Sequence, residues 1–216
     1  MKTQPVKLEV SAEAKPCAVT SARKIPIPLM KPVEDELIRM EEAGIIRPVT
    51  CPTEWCSPMV PVRKAGGKVR ITVDYKHLNK AVKREIFPIP TLEQLTSKLG
   101  GATLFSKLDA VSGFYQLPLD EESSLLTTFI TPFGRKAFLR LPMGLNMAPE
   151  CFQRKMEETL KDLPGVICYM DDIMCFGDEE SHDARLKAVM ERIEASGLKL
   201  NKSKCVIRQS SVLFWE

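Results

Sequence analysis

The feature that most constrains this chain is a pair of adjacent aspartates, Asp171 and Asp172, inside an otherwise apolar run over residues 166–176. Apolar residues on both sides predict two short buried strands, with the pair at the turn between them. Two neighbouring carboxylates at a buried turn repel each other and lose hydration, which is costly unless a positive charge lies between them. A hard divalent cation such as Mg2+ suits carboxylate oxygens. An ordinary polar hairpin turn is the competing interpretation, and for an isolated Asp pair it would be the better one.

Composition sets wide bounds on function. The 216 residues are 44% hydrophobic and 27% charged, with a net charge of +3, which is typical of a globular protein and allows a nucleic-acid partner without demanding one. No apolar run approaches the ~20 residues needed to span a bilayer, and residues 1–10 lack the apolar core of a signal peptide. The seven scattered cysteines and two histidines complete no zinc pattern, so free thiols in a reducing, intracellular compartment are expected.

The order of the predicted elements favours an α+β fold, because strands and helices mix without a regular βαβ rhythm. Pro- and Lys-rich residues 1–32 predict an extended arm, and the acidic stretch after it predicts a short helix that ends at Gly44. The remaining predicted elements are a hairpin over 60–75 around Gly66-Gly67, a helix over 91–99, a strand over 103–109, a hairpin over 127–141, amphipathic helices from Pro149 and around Leu186, and a strand-like end over 212–216.

A third carboxylate, Asp109, ends the strand predicted over 103–109. A strand end that faces a hairpin turn could bring Asp109 beside Asp171 and Asp172. Three carboxylates can hold two Mg2+ ions about 3.5–4 Å apart, an arrangement that supports in-line phosphoryl transfer.

Five stretches of the chain, in this order, resemble the motifs of reverse transcriptases. They include Tyr169-Met170-Asp171-Asp172 and the stretch from Leu141 to Pro149, and the full set is residues 69–80, 105–118, 141–149, 169–172 and 197–205. The pattern is similar to the Pol polyprotein of gypsy-type LTR retrotransposons from about residue 20 onward.

This resemblance implies the fingers and palm of a right-hand polymerase, with the thumb absent. Residues 33–101 and 120–148 would be mainly fingers, and 102–119 and 149–216 mainly palm. The chain would stop inside the primer grip, which begins at Phe214-Trp215.

The same resemblance implies roles for individual residues. Asp109, Asp171 and Asp172 match the metal ligands, with the backbone carbonyl of Ala110 as a further ligand. Lys204 matches a general acid for the pyrophosphate, although the neighbouring Lys199 and Lys202 are alternatives and a solvated lysine is an equal interpretation.

Other matched positions concern the nucleotide and the primer. Arg70 matches a contact to the triphosphate, with a second basic contact at Arg63 or Lys64. Phe114 matches the aromatic ring that excludes a 2′-hydroxyl by a steric clash. The remaining matches lie beneath the nucleotide, template or primer terminus: Met143, Gly144, Tyr169 and Met170.

The expected function is therefore that of an RNA-directed DNA polymerase, a nucleotidyltransferase that adds dNTPs to a primer on an RNA or DNA template with two Mg2+ ions, for which Mn2+ could substitute. Its expected partners are the template-primer and, in the parent polyprotein, ribonuclease H and integrase regions. A cytoplasmic, particle-associated or nuclear location is expected, without a membrane.

The alternative is a decayed or domesticated fragment that binds nucleic acid or protein without polymerising. A viral RNA-dependent RNA polymerase is disfavoured by Phe114, since such an enzyme must admit the 2′-hydroxyl.

Overall fold

The computed structural model describes residues 1–84, 86–88, 90–111 and 113–213, with Ala65 and Leu92 described by their backbone only. The helices are α1 (Ile27–Glu42), α2 (Leu78–Ala81), α3 (Leu92–Thr96), α4 (Glu121–Leu126), α5 (Ala148–Leu160) and α6 (His182–Ser196). The strands are β1 (Ile46–Pro48), β2 (Ser57–Arg63), β3 (Val69–Val73), β4 (Leu104–Asp109), β5 (Phe129–Thr131), β6 (Gly134–Phe138), β7 (Val166–Tyr169), β8 (Asp172–Gly177) and β9 (Val206–Gln209). None of the helices in this described part has the length and apolar character needed to cross a membrane.

The chain divides into two units, each built on one sheet. The five-stranded unit consists of Gln4–Arg84 and Leu117–Ala148, and the four-stranded unit of Met1–Thr3, Glu85–Gln116 and Pro149–Glu216. The α+β prediction is confirmed, because both units combine antiparallel strand pairs with helices.

The five-stranded sheet has the order β1-β6-β5-β2-β3. Its strands β2 and β3 form the predicted antiparallel hairpin, whose tip contains Gly66 and Gly67 at φ +78° and +77°. Glycine is suited to this tip because a Cβ crowds the backbone at positive φ. The core of the sheet includes Phe129 and Phe138, whose ring centroids lie 5.2 Å apart.

Helix α1 begins earlier than the sequence pattern predicts. It starts at Ile27, so the expectation of an extended arm is wrong for residues 27–32. The first turn of a helix tolerates proline because its N–H groups have no partner inside the helix. Val33, Leu37 and Met40 then recur at helical spacing and are buried, so their packing stabilises the longer helix.

The four-stranded sheet has the order β7-β8-β4-β9, and all of its neighbouring strands are antiparallel. The predicted strand before Asp109, the hairpin that carries the aspartate pair and the two amphipathic helices α5 and α6 are confirmed. The helix predicted over 91–99 begins with a capping box formed by Thr91 and Gln94, at the start of α3. Of the strand-like end predicted over 212–216, residues 212 and 213 form no strand, and 214–216, with Phe214-Trp215, lie outside the described residues. Strand β9, over residues 206–209, was not predicted.

Candidate functional site

Antiparallel pairing in the four-stranded sheet brings the three aspartates together. Strand β4 lies beside β8 in a register that pairs Asp109 with Asp172, while Asp171 occupies the turn that precedes β8. The backbone N–H of Ala110 donates a hydrogen bond of 2.8 Å to the carbonyl oxygen of Asp171, which ties the turn to the end of β4. Three carboxylates from two chain segments therefore share one end of the sheet.

Two lysines neutralise this group of carboxylates. The Nζ atom of Lys107 lies 3.1 Å from an Oδ atom of Asp172, and the side chains are only 20% and 19% exposed. The Nζ atom of Lys204 lies 3.2 Å from an Oδ atom of Asp109, itself 11% exposed. These partly buried contacts are charge-assisted hydrogen bonds, which are stronger than those between neutral groups.

The pKa of Asp172 is raised above its ordinary value, chiefly because burial removes water from the carboxylate. The negative charges of Asp171 and Asp109 raise this pKa further, while the ammonium of Lys107 opposes the rise. The hydrogen bond from Lys204 to Asp109 raises the pKa of Lys204, so this ammonium stays protonated at neutral pH. An additional positive charge among the three carboxylates would thus be electrostatically favoured.

The arrangement fits a hard divalent cation in its donor chemistry, since it offers carboxylate oxygens that repel one another. Across the described ranges, however, no three Asp, Glu, His or Cys side chains lie close enough to share a metal ion. Lys107 and Lys204 each hold one carboxylate oxygen of this group in an ion pair.

A cavity of about 680 Å³ lies against the carboxylates. This volume is within the range of small-molecule sites, about 300–1,000 Å³. Its walls combine charged and apolar side chains: Lys107, Asp109, Asp171, Asp172, Lys204, Val206, Gln209, Ser211, Val212 and Leu213.

Phe114 lies in a 3₁₀ turn, Gly113–Gln116, that follows β4. Its ring is half-buried and packs edge-to-face on the fully buried Phe152 of α5, with 5.5 Å between centroids. This contact fixes the ring against a helix of the same unit, so its position is set by packing. Ser112, just before this turn, lies outside the described residues.

The other predicted contacts of the nucleotide are in the five-stranded unit. Arg63 ends β2, Lys64 follows it, and Arg70 lies on β3 opposite Val62, all three exposed. A guanidinium nitrogen of Arg70 is 3.7 Å from the sulfur of Met143.

Asn79, which the sequence analysis did not single out, supports the loop after Met143. Its side-chain amide donates to the carbonyl oxygen of Gly144 at 2.7 Å and accepts from the N–H of Asn146 at 2.9 Å. Gly144 has φ +96°, and a Cβ there would approach the carbonyl oxygen of Val73 to 3.2 Å. The loop therefore requires glycine at this position.

Three further residues of the four-stranded unit were missed by the sequence analysis: Lys107, Gln116 and Gln153. Lys107 had a local signal, because residues two apart on a strand share a face and Lys107 precedes Asp109 by two. Gln116 had no local signal, since it hydrogen-bonds to Lys199, which is distant in sequence, as well as to Val111, at 2.7–3.0 Å. Its contacts hold the segment before Lys204 beside the end of β4.

Comparison with known proteins places this geometry in context. Residues 62–215 match the family model described as reverse transcriptase (RNA-dependent DNA polymerase). The chain is 31% identical over 215 residues, 97% of its length, to the retrovirus-related Pol polyprotein from transposon opus of Drosophila melanogaster. It is 35% identical over 197 residues, 89% of its length, to the transposon Tf2-3 polyprotein of Schizosaccharomyces pombe. It covers 21% and 15% of these two proteins, respectively.

The solved structures show the same fold. The foamy viral protease-reverse transcriptase in complex with an RNA/DNA hybrid superposes with a TM-score of 0.84 and 21% identity, covering 95% of this chain and 27% of that one. The same viral protein in complex with double-stranded DNA, a form designated dRH, gives a TM-score of 0.82 and 22% identity, covering 99% and 37%.

Proposed function

Because this chain belongs to the reverse transcriptase (RNA-dependent DNA polymerase) family, we propose that it acts in RNA-directed DNA synthesis within a retrotransposon Pol polyprotein of the gypsy type. The observation that carries the proposal is the pairing of Asp109 with Asp172 beside Asp171 in a partly buried, electrostatically strained group. In this reading the five-stranded unit is the fingers and the four-stranded unit is the palm.

The proposed reaction joins a primer 3′-hydroxyl to the α-phosphate of a dNTP and releases pyrophosphate. Asp109, Asp171 and Asp172, with the backbone carbonyl of Ala110, would hold two Mg2+ ions. When bound, these ions would activate the hydroxyl and neutralise charge on the phosphates. The β4–β8 register holds the carboxylate charges of Asp109 and Asp172 in place, so little reorganisation of these groups is needed during the reaction.

Lys204 is the proposed proton donor to the leaving pyrophosphate. Its side chain is an ammonium at neutral pH, Asp109 raises its pKa further, and it lies at the cavity beside the carboxylates. Of the three lysines considered, it is the one whose side chain contacts a carboxylate of this group. Lys199 contacts this region through its backbone, by its N–H bond to Gln116.

Nucleotide selection is proposed to involve basic residues of the β2–β3 hairpin and the ring of Phe114. Arg70, with Arg63 or Lys64, would bind the triphosphate, since guanidinium donors match phosphate oxygens. Phe114 would exclude a 2′-hydroxyl, and its packing on Phe152 makes the ring a firm obstacle.

The remaining proposed contacts are with the nucleotide, the template and the primer terminus. Met143 and Gly144 would lie beneath the nucleotide and template, with Met143 in van der Waals contact. Tyr169 and Met170 would lie under the primer terminus. The proposed partners are an RNA or DNA template-primer and the ribonuclease H and integrase regions of the parent polyprotein.

Primer extension tests this proposal. The natural polypeptide that contains this sequence is given poly(rA)/oligo(dT), dTTP and Mg2+, and is compared with its Asp171→Asn variant. We expect incorporation by the wild type and none by the variant. Asp162→Asn is the matched control, because Asp162 is exposed and its φ of +65° suits asparagine. Undiminished incorporation by Asp171→Asn would refute the site, and an inactive wild type would favour the decayed-fragment alternative.

Sugar selection is tested separately with Phe114→Ala. Removing the ring should let the enzyme incorporate rUTP opposite poly(rA), with selectivity for dTTP falling by about 10²-fold, the discrimination that about 3 kcal/mol provides. Unchanged selectivity would exclude Phe114 as the steric gate.

A further inference from the structure

The turn between β7 and β8 has an unusual residue at its tip. It consists of Met170 and Asp171, and Met170 has φ +53°. A two-residue hairpin turn with positive φ at its first central position usually has glycine there, because a side chain crowds the backbone in this conformation. A methionine at this place needs support from outside the hairpin.

Gln153 of α5 provides that support. Its side chain is fully buried, and its amide oxygen accepts a hydrogen bond of 2.7 Å from the backbone N–H of Met170. The amide nitrogen donates to the carbonyl oxygen of Cys168 at 3.0 Å and to the carboxylate of Glu157 at 2.8 Å. One buried amide therefore joins strand β7, the turn and the helix.

The chemistry of this contact suits an amide group. An amide carries both an acceptor and donors, so it can satisfy Met170 and Cys168 at once. Water cannot replace it easily, because the position is fully buried and an unpaired N–H there would be costly. On the other side of the turn, the N–H of Ala110 holds the carbonyl oxygen of Asp171. The backbone on both sides of the Asp171 side chain is thus held by neighbours.

We infer that Gln153 is a positioning residue that imposes the left-handed conformation of Met170 and thereby directs the Asp171 carboxylate. The inference rests on the proposed function for its catalytic consequence, while the hold on the turn is a property of the fold alone. Gln153 itself touches neither substrate nor metal ligand side chains in this role.

Amide hydrogen exchange tests the hold on the turn. The full chain is labelled with ¹⁵N-methionine, and the Met170 resonance is identified by its loss in Met170→Leu. In Gln153→Met, which keeps the side-chain length without the amide, exchange at Met170 should accelerate at least tenfold. Exchange at Met174, inside β8, should stay unchanged. Glu157→Gln is the matched control, because it alters the other partner of Gln153 and should leave Met170 within twofold of the wild type. Unchanged exchange in Gln153→Met would overturn the inference.

Steady-state kinetics of the natural polypeptide then test the positioning role. Gln153→Met should lower kcat about 10- to 100-fold with the dTTP KM within threefold, since misplacing a reacting group by about 1 Å can cost 10²-fold. Faster exchange with unchanged kcat would overturn the positioning role. If the wild type incorporates no dTTP, the proposed function is refuted instead. The amide exchange rate of Met170 would then still test the contact between Gln153 and Met170.

Discussion

The two hairpins that carry the proposed functional groups both have positive φ at their turns, but they accommodate it differently. The β2–β3 hairpin turns at Gly66-Gly67, which accept positive φ freely, and its Arg63, Lys64 and Arg70 are exposed. The β7–β8 hairpin turns at Met170-Asp171, where the backbone is held by Gln153 and Ala110. An exposed cationic tip suits binding of phosphate oxygens, whereas a carboxylate tip whose backbone is held suits fixed charges. The predictions below act on this contrast.

The largest expected effect is at the β7–β8 hairpin. Asp172→Asn should abolish dTTP incorporation, yet raise the Tm of the metal-free chain at neutral pH by about 2 °C, the shift expected for about 1 kcal/mol. The folded chain raises the pKa of Asp172, so its ionised form costs stability above the ordinary carboxyl pKa. This cost shrinks as pH falls through the raised pKa and is gone below the ordinary value of 3.8, where the two melting curves should converge. Thermal denaturation across pH measures this, and a lower Tm for the variant at neutral pH would contradict it.

Lys107→Met should strengthen binding of a divalent cation about tenfold, or about 1.4 kcal/mol. The substitution removes the ammonium that occupies an oxygen of Asp172 and keeps an unbranched side chain on β4. Isothermal titration with Mn2+ measures the affinity. Lys202→Met is the control, because it removes the same charge from an exposed position of the same unit. Equal affinities in wild type and Lys107→Met would show that this lysine does not compete with the cation.

At the β2–β3 hairpin, Gly67→Ala should reduce the free energy of unfolding by about 1 kcal/mol. A Cβ on Gly67 would contact nothing within 4 Å, so the cost comes only from its φ of +77°. Gly100→Ala is the control, since Gly100 also has open space but a negative φ of −53°. Urea denaturation compares the two variants, and equal stabilities would indicate that the hairpin tip changes its conformation freely.

The smallest effect concerns a carboxylate whose pKa is lowered. Hydrogen bonds from His182 and Arg208 lower the pKa of Asp183, so its stabilisation exists above the ordinary value of 3.8 and is lost as pH falls through the lower folded pKa. Asp183→Asn should therefore slightly reduce the loss of unfolding free energy on acidification. Its effect on stability at neutral pH is opposite in sign to that of Asp172→Asn. Urea midpoints between pH 5 and 2 measure this, and parallel profiles for variant and wild type would refute it.

Much of the fold was predictable because its signals are local. Gly66-Gly67 marks one hairpin, the aspartate pair marks another, and apolar spacing marks α5 and α6. The early start of α1 was missed because its prolines suggested an extended chain, while burial of Val33 and Leu37 decides otherwise.

For the proposed site, the grouping of its three carboxylates was predictable from the sequence, and the residues that support them were not. Sequence spacing pointed to Asp109, Asp171 and Asp172, whose strand-end and turn positions are local properties. Gln153 and Gln116 act through contacts with residues distant in sequence, which no local pattern specifies. The supports of a site depend on tertiary packing, so the structure was needed to find them.

One measurement tests the contrast between the hairpins most directly: the rate of dTTP incorporation on poly(rA)/oligo(dT) over a wide dTTP concentration series, for Arg70→Ala and Asp171→Asn. Loss of a phosphate contact at Arg70 should raise KM about tenfold, so that high dTTP restores most of the rate. Loss of the Asp171 carboxylate should abolish the rate at every dTTP concentration. Restoration of Asp171→Asn by high dTTP, or a collapse of kcat at unchanged KM in Arg70→Ala, would contradict the account.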